Sequence, residues 1–148
     1  PLAGGVIGNL LGGYYSDHLL KRTNNLKFAR RVVAIFGFVI AGVMVPFASS
    51  APDPLISVLF FAIAVFGLEV TVGVSWAVTL DVGKEYAGSV ASVMNTFGNI
   101  AGAIAAAATG YIVTYADWNM AFTILGALSL LAAVLFLKID ASKTLFVE

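Results

Sequence analysis

The chain has 148 residues, 60% hydrophobic and 11% charged, with a mean hydropathy of +0.98. Soluble domains carry about 25% charged residues, so this composition excludes a soluble enzyme, a disordered tail and a nucleic-acid binder. Eight basic and eight acidic side chains cancel, which leaves no bulk field to hold a polyanion. With no Cys and one His, a zinc site would have to rest mostly on carboxylates, which zinc seldom accepts. No metal and no other cofactor is expected. An all-α integral membrane protein remains.

A transmembrane helix needs about 17–25 predominantly apolar residues. The first apolar run, 1–15, covers only about 22 Å at 1.5 Å per residue. It starts at Pro1 with no basic leader, so it reads as the later part of a helix in a fragment of a longer chain. Its string PLAGGVIGNLLGG sets Gly4, Gly8 and Gly12 four apart on one face. Small residues at that spacing let helix backbones approach closely in lipid. The stretch 16–31, SDHLLKRTNNLKFARR, is polar and basic and reads as a loop.

Four complete runs follow, at 32–49, 56–80, 87–113 and 119–138, and then a tail at 139–148. SSAPDP breaks the chain through Pro52 and Pro54. DVGKEYAG and TYADWN make the other two breaks. Asp53 and Asp117 read as turn or cap residues, and His18 as an interfacial residue without a role. With no linker or repeat evident, 1–148 reads as one partial transmembrane domain. The fourth run from the start, 87–113, repeats the glycine spacing with Gly98 and Gly102, continued by Ala106 and Gly110. Two glycine-lined helices fit crossings that rock as well as a static packing groove.

Orientation follows from the basic residues. If 16–31 is cytoplasmic, all eight Lys and Arg side chains fall on the inner side, and the connections 49–55 and 114–118 hold none. The C-terminus is then cytoplasmic. Tyr111, Tyr115 and Trp118 fit an outer aromatic belt, and Tyr14 and Tyr15 an inner one.

At membrane depth the complete runs hold one ionisable side chain, Glu69 in AVFGLEVTVGVSW. A charge there costs about 2.5–3.5 kcal/mol on insertion scales and marks a functional candidate, or else a protonated acid bonded to a neighbouring helix. Gly67 and Gly73 flank it, so the backbone can flex and a substrate can approach. The next run carries Ser92, Asn95 and Asn99 within about 60° of one another. These serve either a cavity or interhelical bonding. The two runs are antiparallel about Gly83 and Lys84, so residues whose numbers add to about 168 share a depth. Glu69 then stands level with Asn99, Gly73 with Asn95, and Trp76 with Ser92. The expectation is that Glu69, Gly73 and Trp76 line one cavity with Ser92, Asn95 and Asn99. Thr71, Ser75 and Thr79 form a second stripe whose hydroxyls can bond the preceding turn; Ser75, beside Trp76, is the weaker cavity candidate. Asp17 and Asp81 stand at inner helix ends, where they oppose the dipole and need cationic partners. Arg22, Arg30 or Arg31 can supply one, or the loop is solvated and sets orientation only.

The string GGYYSDHLLKRTNNLKFARR resembles the inner-loop signature of the major facilitator superfamily between helices eight and nine. The match rests on Gly12, Gly13, Ser16, Asp17, Arg22, Ala29, Arg30 and Arg31. SWAVTLDVGKEYAGSVASVMNTFGNIAGAI resembles helices ten and eleven of its anion:cation symporter branch, through Trp76, Asp81, Gly88, Asn95, Gly98, Asn99, Gly102 and Gly110. Two positions depart from that pattern. Ala101 and Ala106 stand where a glycine and a proline are frequent, and both favour a straighter helix.

The resemblance implies a twelve-helix transporter of the inner (plasma) membrane. This chain would be partial helix eight to helix twelve, and the N-terminal six-helix half would be missing. It implies a small organic anion as substrate, such as hexuronate, galactonate or glucarate, carried with protons, or with sodium in their place. It also implies that Asn95 and polar residues of helix ten hold the substrate, while Gly13, Asp17, Arg22, Arg30, Arg31 and Asp81 form an inner gate. An intramembrane enzyme needs two carboxylates or a Ser/His pair at one depth, and Glu69 stands alone. The remaining alternative is a non-transporting structural subunit of a membrane complex.

Overall fold

The computed structural model describes residues 2–144. Pro1 and residues 145–148 of the expected tail lie outside the described residues. Five helices make up the chain: α1 (Leu2–Thr23), α2 (Leu26–Ser50), α3 (Pro54–Gly83), α4 (Ala87–Tyr115) and α5 (Trp118–Phe136). A single 3-10 turn, Lys84–Tyr86, links α3 to α4. Asp53 and Asp117 do cap their helices. Asp53 Oδ1 accepts from Leu55 N at 2.7 Å, and Asp117 Oδ1 from Met120 N at 2.6 Å.

The expected loop at 16–31 is almost wholly helical. Nothing in SDHLLKRT breaks a helix, and Lys21 and Arg22 in the last turn of α1 suit the negative end of its dipole. The reversal is confined to Asn24 and Asn25. Asn24 takes the left-handed conformation at φ 50° that asparagine tolerates, and its N–H donates to Leu20 O at 2.9 Å. Asn25 Oδ1 then caps α2 by accepting from Phe28 N at 2.9 Å.

Leu26–Ser50, Pro54–Tyr115 and Trp118–Phe136 are helical stretches long and apolar enough to cross a membrane, the second comprising α3 and α4. The chain is therefore an all-α, multi-pass membrane bundle. α3 lies at its centre, against α1, α2 and α4, and α5 packs on the other side of α2. Small residues make the crossings, as expected where lipid gives no hydrophobic drive for association. On α2, Ala34, Ala41 and Ala48 recur every seven residues and are fully buried. Gly37 and Gly67 face each other: a Cβ on either would lie 2.5–2.6 Å from the other's carbonyl oxygen. Gly126 of α5 sits in the same way on the turn of α2 that holds Gly42 and Pro46.

α1 meets α3 along its glycine line. A Cβ on Gly4 would lie 2.7 Å from Ala62 O, and Gly8 and Gly12 press on the carbonyls of Phe66 and Val70. α4 is the exception in this bundle and buries no residue. Around its Gly88, Gly98, Gly102 and Gly110 no described atom comes within 4 Å of an added Cβ.

Candidate functional site

α3 carries most of the candidate residues, and its faces sort them. Thr71 Oγ1 donates to Leu68 O at 2.6 Å, Ser75 Oγ to Thr71 O at 2.8 Å and Thr79 Oγ1 to Ser75 O at 2.8 Å. All three hydroxyls thus bond their own helix. Ser75 and Thr79 also border a pocket of about 460 Å³ with Met94 of α4 and with Ile139 and Asp140 beyond α5.

Gly67 and Gly73 do not open space around Glu69. Gly67 is closed by Gly37, and a Cβ on Gly73 would lie 2.6 Å from Asn9 O of α1. Both are packing glycines, because the backbones of α1 and α2 occupy the room that a side chain would need.

The half-buried Glu69 turns toward α1, where Asn9 Nδ2 donates to its Oε2 at 3.0 Å. The pair borders an open groove of about 450 Å³, otherwise lined by Leu2, Gly5, Val6, Leu10 and Val65. Trp76, seven residues along the same stripe, is 43% exposed. Asn9 escaped the sequence reading. Its signal was there: it is the one polar side chain between Leu2 and Gly13, and an amide in such a run needs an internal partner.

The expected single lining of Glu69 with Asn95 and Asn99 is not formed among the described residues. Asn99 Nδ2 donates to Asn95 O at 2.8 Å and Asn95 Oδ1 at 3.0 Å, and Ser92 Oγ donates to Gly88 O at 2.9 Å, all within α4. Val90 and Met94 are the α4 residues beside α3. Asn95 and Asn99 lie about 140–180° around the helix from Val90. Equal depth was a sound inference from equal rise, but it says nothing about azimuth. The glycine contact with α1 sets the azimuth of α3 and takes Glu69 with it.

At the opposite end of α3 stands a dense ionic node. Arg30 of α2 is 5% exposed. Its Nη1 donates to Asp17 Oδ1 and Ser16 Oγ of α1, each at 2.7 Å, and its Nε to Asp81 Oδ2 of α3 at 2.7 Å. One planar fork thereby joins three helices, a geometry that guanidinium permits and ammonium does not. Of the three arginines left open by the sequence, Arg30 is the partner of both acids. Arg31 Nε donates to Ile139 O at 2.6 Å instead. Arg22 joins no ion pair among the described residues. Gly13 has open space beside it.

A second clasp holds the segment after α5. Lys27 Nζ lies 2.9 Å from Asp140 Oδ2, and Ser142 donates to Asp140 Oδ1 through Oγ at 2.5 Å and through N at 3.2 Å. The Ser142 hydroxyl, followed by Lys27, holds the Asp140 carboxyl well below the usual carboxylate range. No group of His and acidic side chains suited to a metal ion occurs among the described residues.

The sequence pattern of the Major Facilitator Superfamily matches residues 1–147. The chain belongs to that superfamily. Its members are carriers and not enzymes. The chain is 33% identical over 145 residues to the "Probable sulfoacetate transporter SauU" of Cupriavidus necator, covering 97% of this chain and 34% of that protein. It is 36% identical over 139 residues to the "Probable galactarate/D-glucarate transporter GudP" of Escherichia coli, covering 93% and 30%. It is 33% identical over 138 residues to the "Hexuronate transporter" of Bacillus subtilis, covering 90% and 33%. The chain thus spans about a third of the length of these curated relatives. No solved structure matches it.

Proposed function

We propose that the full-length protein is a secondary carrier that moves a small organic anion, of the sugar-acid kind, across the membrane with protons by alternating access. The observation that carries this reading is Glu69: a carboxyl at membrane depth, bonded to Asn9 and bordering an open groove in a superfamily carrier. Similarity to carriers named for galactarate, glucarate, hexuronate and sulfoacetate supports an anionic substrate. In this reading α1 to α5 are helices eight to twelve, and a six-helix half and helix seven precede them. The Arg30 end faces the cytoplasm of a plasma (inner) membrane, as does the C-terminus, because the basic residues gather there.

The charges suggest how the two solutes are linked. No basic side chain of this sequence lies at membrane depth, so the group that grips the anion belongs to the other half. A charged Glu69 repels an anion and a protonated one does not. Proton entry therefore raises anion affinity. Trp76 continues the Glu69 stripe of α3, Ser75 borders the α3–α4 pocket, and Ser92, Asn95 and Asn99 form a separate polar face of α4 that meets the rest of the carrier. The Arg30 node with Asp17 and Asp81 is the inner gate, since parting α1 from α3 at that end breaks its bonds; Gly13, Arg22 and Arg31 flank it.

The test is uptake by the full-length protein in proteoliposomes, with a panel of sugar acids and an imposed pH gradient. Accumulation of at least one of them with an acidic outside is expected. Glu69→Gln should weaken the pH-dependent coupling more than binding at low pH. No accumulation of any sugar acid, or uptake indifferent to the gradient, refutes the proposal.

A further inference from the structure

A carboxyl at the depth of Glu69 has few groups to face. α1 presents no charged side chain before Asp17, and its Tyr14 and Tyr15 are exposed toward the Asp17 end. The charges of α2, Lys27, Arg30 and Arg31, lie in its first two turns. α4 and α5 carry none, and Tyr111 and Tyr115 stand at the far end of α4. Asp81, on α3 itself, is about 18 Å away along the axis. Asn9 is the partner that remains, and the Asn9–Glu69 bond joins residues sixty positions apart.

The main chain of Asn9 has little freedom. Its carbonyl oxygen lies 2.6 Å from where a Gly73 Cβ would be, and a Cβ on the neighbouring Gly5 would lie 3.3 Å from Glu69 Cγ. The side chain, by contrast, borders the open groove. An amide carries a donor and an acceptor on one carbon. Nδ2–H serves the carboxylate. Turned over by 180°, the same amide offers Oδ1 to the O–H of the carboxylic acid. A hydrocarbon serves neither state.

We infer that Asn9 is the positioning residue for Glu69: it holds the carboxyl at the wall of the α1–α3 groove in both protonation states by turning its amide. This rests on the proton-coupled reading above. The proton reaches Glu69 from water in the groove, is held as the O–H donated to Asn9 Oδ1, and leaves to water on the other side. The amide follows it without net gain or loss.

The experiment uses the full-length carrier in proteoliposomes, with uptake measured across pH and substrate exchange measured without a pH gradient. In Asn9→Leu both states lose their bond, and the charged state loses the stronger of the two. The midpoint of the uptake profile is expected to move by about one unit toward higher pH. Asn9→Gln, which keeps the amide and has room in the groove, should restore the profile. In a Glu69→Gln background, Asn9→Leu should change nothing further. Asn9→Ser, too short to reach the carboxyl, is expected to repeat the shift should the leucine variant fail to exchange. An unmoved profile, or a shift that persists without Glu69, overturns the inference while leaving the transport reading intact. Absence of proton-driven uptake in the unmodified protein overturns the transport reading itself.

Discussion

Replacing Gly67 by alanine puts a methyl group into the α2–α3 crossing. Its carbon would stand 2.6 Å from Gly37 O, 2.9 Å from Ile40 Cγ2 and 3.0 Å from Ala41 N. Two of these three atoms are backbone, so no rotamer change relieves them. Against an ordinary contact of 3.4 Å the shortfall at Gly37 O is about 0.8 Å, and α2 must back away by about that distance. The shift loosens the fully buried Ala34, Ala41 and Val74. Overpacking of this kind costs about 1–3 kcal/mol, and the better helix propensity of alanine returns about 0.5–1. Net destabilisation of about 1–2 kcal/mol is expected, read as a lower thermal transition of the detergent-solubilised full-length protein. Gly37→Ala meets Gly67 O at 2.5 Å and Thr71 Cγ2 at 2.7 Å, across the same gap. Once the helices have parted for one methyl there is room for the other, so the double variant should lose less than the sum of the singles. A Gly67→Ala transition at or above the unmodified one, or strict additivity, would refute the backbone-contact account.

Arg30→Lys keeps the charge and loses the fork. It should cost about 1–2 kcal/mol in the same thermal assay, and unfolding equal to that of the unmodified protein would count against a three-helix node. The clasp at Asp140 makes a pH prediction. A carboxyl held below its ordinary value contributes stability that is present above about pH 4 and is lost as the pH falls through the lowered value. Labelling of an Ile139→Cys variant, with each rate divided by that of a free cysteine at the same pH to remove the thiolate dependence, should therefore be flat from about pH 7 to about pH 5. It should be faster at every pH when Asp140→Asn is added. A rate that climbs across that interval with Asp140 intact would contradict the clasp.

Much of this bundle is legible in the linear chain because its driving terms are local. Long apolar runs and proline or aspartate breaks mark α2 to α5, and the four-residue glycine spacing marks the face of α1 that meets α3. At 16–31 polarity does not mean irregularity: a helix end can leave the apolar layer and remain a helix, as Ser16 to Thr23 do. The partner of Glu69 was missed for a different reason. Rise per residue fixes height, but rotation about the axis is decided by which neighbour comes nearest, and here that is α1 through Gly73 and Asn9. The choice of Arg30 over Arg31 likewise depends on azimuth, since the two differ by one residue of rise but by about 100° around α2.

The hydroxyl ladder of Thr71, Ser75 and Thr79 has a mechanical consequence. Each oxygen takes a share of a carbonyl that also serves the main-chain spiral, and such sharing softens the rod and favours curvature. The compliant stretch begins two residues past Glu69 and stops two short of Asp81. Flexure there would let the carboxyl end and the guanidinium end of one rod tilt independently, so strain created where a proton lands could be delivered, through α3 alone, to the far rim.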